Sequence, residues 1–233
     1  MPVPYFYEPH ILSGNTSFTL SETSSKHCIQ VLRMQEGDRI DLTNGKGYLF
    51  EVTITAPDKK NTLVTVVKEK QVPAAAQNLT LGIALLKNAT RLEWLIEKAT
   101  EMGVTTIIPM ICERTLFEKF KLDRMQNIVQ SAMIQSQQAW LPELVTPTPY
   151  QEVIAQQKNA QKLLAHCETA DKIDIKKIVA GQDCILLIGP EGDFSKPEIE
   201  LALQNGYQAI HLGPTRLRTE TAGLFALSVL KNF

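Results

Sequence analysis

At 233 residues and 26.0 kDa, with 44% hydrophobic and 21% charged residues, the chain can hold one large domain or a small one plus a medium one, and its composition excludes disorder. Its 24 Lys and Arg against 25 Asp and Glu leave a formal net charge of −1, so a nucleic acid would have to be held by a local basic patch. The longest apolar runs, Ile185 to Ile188 and Thr105 to Ile111, fall far short of the roughly 18 residues a membrane span needs, and Met1 to Phe6 carries no basic-then-apolar leader, which points to the cytoplasm.

From Pro4 to Val72 the chain is rich in Val, Ile, Thr and aromatic residues and predicts short strands at Tyr5 to Tyr7, Ser17 to Leu20, Arg39 to Thr43, Tyr48 to Thr55 and Thr62 to Lys68. Turns at Asn44-Gly45-Lys46-Gly47 and Ala56-Pro57-Asp58 separate them. One helix is expected over Ser24 to Met34, with His27, Val31 and Met34 on one face. This is a small β-barrel module, residues 1–72.

After the linker Val72 to Gln77 the pattern changes to alternating strands and helices, an α/β domain over residues 73–233. Strands are expected at Leu79 to Leu86, Thr105 to Ile111, Lys162 to His166, Cys184 to Ile188 and Ala209 to Leu212. Arg91 to Met102 is a helix by the stripe Leu92, Leu95, Ile96, Ala99, stopped by Gly103. Asp123 to Trp140 follows by the spacing of Met125, Ile128, Val129, Ala132 and Met133. Further helices are expected at Pro149 to Gln157, at Pro197 to Asn205 behind a Ser195/Glu198 capping box, and at Glu220 to Lys231.

Cys28, Cys112, Cys167 and Cys184 form no C-x-x-C pair, and His10, His27, His166 and His211 lack ligand spacing, so reduced thiols and no metal are expected. The chemistry concentrates in two loops that follow apolar strands: Gly189-Pro190-Glu191-Gly192-Asp193-Phe194-Ser195 and Gly213-Pro214-Thr215-Arg216-Leu217-Arg218-Thr219-Glu220-Thr221-Ala222. In an open α/β sheet, ligands bind beyond the carboxyl ends of the strands, where glycine lets backbone approach them. A lone Gly-Pro there is only a turn. Two such loops, one carrying Arg216, Arg218 and Glu220 at a strand-to-helix junction, point to a site. Neither a G-x-G-x-x-G nor a P-loop pattern is present.

Gly189-Pro190-Glu191-Gly192 with Phe194, Ser195 and Glu198, followed by Leu212-Gly213 and Leu217-Arg218-Thr219-Glu220-Thr221-Ala222, resembles the SPOUT superfamily and within it the bacterial 16S ribosomal RNA uridine-N3 methyltransferases. The likeness covers nearly the whole chain. His27, Val31-Leu32-Arg33 and Gly37-Asp38 resemble that family's PUA-like RNA-binding module, and Lys87, Glu97 to Val104, Pro109 and Glu113-Arg114 its first catalytic block. The chain departs from the family pattern at Ile134-Gln135 and Gln137 to Trp140, at Asp193, where a glycine is common, and at Thr215-Arg216.

The resemblance implies a deep trefoil knot, a homodimer and S-adenosylmethionine as methyl donor. Donor-binding positions would be Leu187, Ile188, Gly189, Gly192, Leu212, Leu217, Arg218, Thr219 and Ala222, with His166 on an adjacent strand. Arg218 would stabilise charge on a deprotonated uridine, and Glu191 or Glu220 would position Arg218 or a proton-accepting water. Ribosomal RNA of the small subunit would meet Arg33, Lys87, Arg91 and Arg114. Two other readings stand beside this one: another SPOUT activity such as 2′-O-ribose methylation, or a noncatalytic RNA-binding ribosome-assembly factor.

Overall fold

The computed structural model describes residues 3–116, 120–156, 160–168, 171–179 and 181–231. The chain divides into two compact units, Met1–Ala74 with Met133–Leu141, and Ala75–Ala132 with Pro142–Phe233. No helix among the described residues is long and apolar enough to cross a membrane.

In the first unit, strands β1 (Tyr5–Tyr7), β2 (Ser17–Thr19), β3 (Arg39–Thr43), β4 (Tyr48–Ala56) and β5 (Leu63–Gln71) form one sheet in the order β1-β3-β4-β5-β2. β1 is parallel to β3; the other neighbours are antiparallel. The sheet is a half-barrel with the three-residue strands β1 and β2 at its edges, and register shifts after Glu51 and Ile54 bend the long β4–β5 pair. Alternation sets its core: Ile40 and Leu42 on β3, Phe50, Val52 and Ile54 on β4, and Val64 on β5 point inward against Ile11, Leu20 and Cys28.

The expected helix over Ser24 to Met34 is not one regular helix. Helix α1 (Glu22–Lys26) passes into a wide turn, His27–Val31, in which the Leu32 N–H reaches the His27 carbonyl five residues back at 3.0 Å. The extra residue rotates the phase. Ser24, Ser25 and Cys28 are therefore the buried face, while His27 and Val31, expected inside, are exposed, and the His27 ring stands edge-on to Phe6 at 5.6 Å.

Asn44 ties the next turn by accepting from the Lys46 and Tyr48 N–H groups at 2.8 and 3.3 Å. Gly47 follows with φ +87°, and a Cβ there would lie 2.3 Å from the Trp140 ring. The Trp140 indole N–H in turn donates to the Val72 and Pro73 carbonyls at 3.1 and 3.2 Å. The departure from the family pattern around Trp140 thus falls in a segment built into the first unit.

The second unit holds β6 (Leu79–Ala84), α2 (Ala89–Glu101), β7 (Thr106–Ile111), α3 (Leu122–Gln135, its end grouped with the first unit), β8 (Glu143–Leu144), β9 (Thr148–Pro149), α4 (Tyr150–Gln156), β10 (Gln161–Ala165), β11 (Ile173–Asp174), β12 (Cys184–Ile188), α5 (Lys196–Gln204), β13 (Gln208–His211) and α6 (Thr219–Lys231). All its strand pairs are parallel, in the order β11-β13-β10-β12-β6-β7-β8, with β9 also on β7. The central strands β6 and β12 are buried at every residue, as unbroken apolar runs in a two-sided sheet should be. β13 enters the sheet between β10 and β11, although both precede it in the chain. A threaded C-terminus needs such a late insertion.

Helix α2 starts two residues before the expected Arg91, because the Asn88 side chain caps the N–H groups of Thr90 and Arg91 at 3.0 and 3.4 Å. It ends as predicted at Gly103, whose φ of +73° lets its N–H reach the Thr100 carbonyl and that of Val104 the Ala99 carbonyl, at 2.9 and 3.2 Å. Helix α3 stops at Gln135, short of the expected Trp140, and Gln137 turns the chain with φ +54°. Gln157, the expected end of α4, lies outside the described residues. β8, β9 and β11 are two-residue strands with no period to announce them.

Candidate active site

Strands β13, β10 and β12 are parallel neighbours, and Ala165 pairs with both Ile188 and Ile210. Their carboxyl ends therefore lie level, and the three loops that follow open on one side of the sheet. Between them is a cleft of about 670 Å³, within the roughly 300 to 1,000 Å³ usual for small-molecule sites.

Apolar walls come from Ile188 at the end of β12, Ile210 in β13, and Leu212, Leu217 and Ala222. Gly189 and Pro190 supply backbone. A Cβ at Gly189 would stand 3.0 to 3.2 Å from the Phe194 ring and N–H, so this glycine also seats Phe194, which is fully buried 5.3 Å from the Tyr150 ring. Polar groups enter from His166 after β10, Glu191 after β12, and Arg218, Thr219 and Glu220 at the start of α6, joined by Arg91 from α2.

Of the residues picked out by sequence, eleven meet here: Arg91, His166, Ile188, Gly189, Glu191, Leu212, Leu217, Arg218, Thr219, Glu220 and Ala222. Four stand elsewhere in the second unit or behind the cleft wall. Leu187 is fully buried in the core, against Gly82. Gly192 lies behind the loop, where its carbonyl and that of Phe194 accept from the Arg114 guanidinium at 2.8 and 3.4 Å. Arg114 is thereby occupied in holding the loop. Lys87 donates its backbone N–H to Glu191 at 3.2 Å. Arg33 belongs to the first unit, exposed and with φ +56°. Sequence reasoning passed over Cys167 and Lys172 as cleft residues, while Arg216 and Asp193, which it placed in the two loops without a role, also line the cleft; contacts among loops distant in sequence carry no period or motif.

The charges differ in what they touch. Glu220 is buried and paired with Arg91 at 3.7 Å, whereas Arg218 is exposed at the cleft and has no ion pair among the described residues. The His166 imidazole is buried, and neither ring nitrogen has a hydrogen-bond partner among the described residues. Burial first, and Lys172 second, hold it below its ordinary range against the opposing pull of Asp193 and Glu168. The thiols of Cys28 and Cys184 are buried and pushed up to about 11 and about 12, which makes them inert, while Cys167 is exposed.

Residues 73–231 match the model of an RNA methyltransferase domain, and residues 20–67 that of an RNA methyltransferase PUA domain. The chain belongs to the RNA methyltransferase family. This methyltransferase is 32% identical to a ribosomal RNA small subunit methyltransferase E from Synechocystis, over 88% of its own length and 70% of the relative's. Among solved structures it is similar to a probable rRNA-methyltransferase from Porphyromonas gingivalis, at 36% identity and a TM-score of 0.90 with 99% of both chains covered. It is also similar to a ribosomal RNA small subunit methyltransferase E from Neisseria gonorrhoeae bound to S-adenosyl methionine, at 30% identity and a TM-score of 0.88, covering 99% of this chain and 97% of that one.

Proposed function

We propose that this methyltransferase transfers a methyl group from S-adenosylmethionine to N3 of a uridine in small-subunit ribosomal RNA. The observation that carries the reading is the convergence in one cleft of the backbone at Gly189, the segment Leu217 to Ala222 and an Arg218 without an ion pair among the described residues. The names of the relatives supply the RNA, and the donor bound in the Neisseria structure supplies the cofactor.

The residues fit such a donor. Apolar walls suit its adenine and methylene groups, and the two nitrogens of His166, without a partner among the described residues, ask for a polar ligand. Ile188, Gly189, Leu212, Leu217, Thr219 and Ala222 would hold it, with Leu187 and Gly192 supporting the wall from behind. When bound, the donor supplies a methyl group on a sulfonium, whose departure leaves a neutral thioether.

Uridine N3 attacks only as its proton leaves, and the negative charge then spreads over the two flanking carbonyl oxygens. Arg218 meets that charge with its guanidinium. Glu191, whose carboxylate accepts the Lys87 N–H, takes the N3 proton directly or through water. Glu220, already paired with Arg91, keeps that guanidinium at the rim of the cleft. The first domain, residues 1–72, holds RNA with Arg33, and the catalytic domain, residues 73–233, adds Lys87 and Arg91. Arg114 serves the loop before it serves RNA. The protein acts in the cytoplasm as a homodimer.

Arg218→Ala tests the assignment. Calorimetric affinity for S-adenosylhomocysteine should stay within about threefold of wild type, while tritium transfer to small-subunit RNA falls by about 10²- to 10³-fold, as removal of one charge-stabilising donor does elsewhere. Undiminished transfer would remove Arg218 from the reaction.

A further inference from the structure

We propose that Asp193 is a positioning residue of the donor cleft, binding the backbone after β10 so that the His166 imidazole is held facing the bound molecule. The inference rests on the donor-binding reading given above and adds to it how one polar contact is prepared.

Asp193 closes the turn after β12, its N–H bonding the Pro190 carbonyl at 2.9 Å, and it does so with φ +64°. That conformation is disfavoured for most residues with a Cβ, less so for Asp and Asn, whose side chains can bond nearby backbone, and is open to glycine without strain. An aspartate there needs a reason in its side chain. One carboxylate oxygen accepts the N–H of its neighbour Phe194 at 2.9 Å, and the other accepts the N–H of Cys167 at 2.7 Å, across 26 positions of sequence.

Cys167 is the residue after His166. On the other side of the same peptide unit, the Lys172 ammonium donates to the His166 carbonyl at 2.8 Å. The peptide unit after His166 is thus gripped on both sides, and Arg216, from the loop after β13, lines the same cleft, where Cys167 and Asp193 act on its charge. All three loops that bound the cleft meet at this point.

Beside these anchors the imidazole is buried, lines the cleft, and leaves both nitrogens without a partner among the described residues. Lys172, Asp193 and Glu168 are the charged groups that act on it. A neutral imidazole offers one N–H and one lone pair. It matches a ligand hydroxyl or a purine nitrogen, and the arrangement is complete only when such a group arrives.

The experiment titrates S-adenosylhomocysteine calorimetrically into wild type, Asp193→Gly, Asp193→Asn, His166→Phe and the Asp193→Gly/His166→Phe double variant, with a thermal melt of each. Asp193→Gly relieves the φ +64° strain but leaves the Phe194 and Cys167 N–H groups without their carboxylate, so it should melt modestly below wild type and still reach full binding capacity, yet bind about tenfold more weakly. Asp193→Asn keeps an acceptor oxygen and tolerates this conformation, so it should stay within about threefold of wild type. His166→Phe should lose about tenfold, and the double variant should be no weaker than either single one. In the unliganded protein, the His166 ring resonances should broaden or double in Asp193→Gly. Wild-type affinity in Asp193→Gly, multiplying losses in the double variant, or unchanged His166 resonances would overturn the inference. No binding to wild type would instead overturn the donor reading itself.

Discussion

His166 shows how a single side chain carries a condition-dependent cost. Its imidazole is held below the ordinary range by burial, with Lys172 adding to the effect, so the folded state binds its proton less readily than the unfolded chain. Stability from this group is fully present above the unfolded value of about 6.5 and is lost as pH falls through the lowered folded value. Melting followed from pH 8 to pH 5 should therefore show wild type losing stability below about 6.5, with a flatter profile in His166→Phe; parallel profiles would mean that His166 is not the titrating group. The position of His166 at a strand end was legible in the sequence. Its lack of partners was not, because that is a property of everything packed around it.

At the level of elements, the capping signal before α5 was readable, but its reach was not. Glu198 accepts the Ser195 N–H at 2.8 Å, as the spacing predicts, and also the Glu113 N–H at 2.8 Å from the segment after β7. Its own carbonyl accepts the Tyr150 hydroxyl at 2.8 Å. One buried residue thus joins three elements, two through its carboxylate and one through its backbone carbonyl. Glu198→Ala would leave two backbone donors unpaired and should cost about 2 to 4 kcal/mol by chemical denaturation, against about half that for Glu198→Gln, which keeps one acceptor oxygen. A loss under 1 kcal/mol for the alanine variant would reduce Glu198 to a surface cap. The failed expectation at His27 to Val31 belongs to the same scale: an i, i+4, i+7 stripe assumes 3.6 residues per turn, and a single wide turn is enough to reverse which residues face inward.

For the molecule as a whole, helix α6 is apolar on more sides than the second unit covers. Gly223, Ala226, Leu227 and Leu230 are buried, with Gly223 close enough to Leu95 that a Cβ would stand 3.2 Å from it, while Leu224, Phe225 and Val229 are only half-buried. A helix with a second, half-buried apolar face calls for cover there, which the proposed homodimer would supply. Sedimentation at micromolar concentration should give a dimer for wild type and a monomer for Phe225→Asp with unchanged helix content; a monomeric wild type would remove the dimer.

The sequence by itself determined the β-rich first part and the α/β second part, the central strands, the α2 stripe and its glycine stop, and the two loops that line the cleft, because each is written in local periodicity or in spaced motifs. Only the tertiary structure decided that Met133 to Leu141 joins the first unit, that Arg114 braces a loop, and that Glu220 takes Arg91 while Arg218 has no ion pair among the described residues. It also decided that Asp193 ties the loops around His166. These are contacts between residues tens of positions apart, and which partner a charge finds depends on the sheet order that brings the loops together.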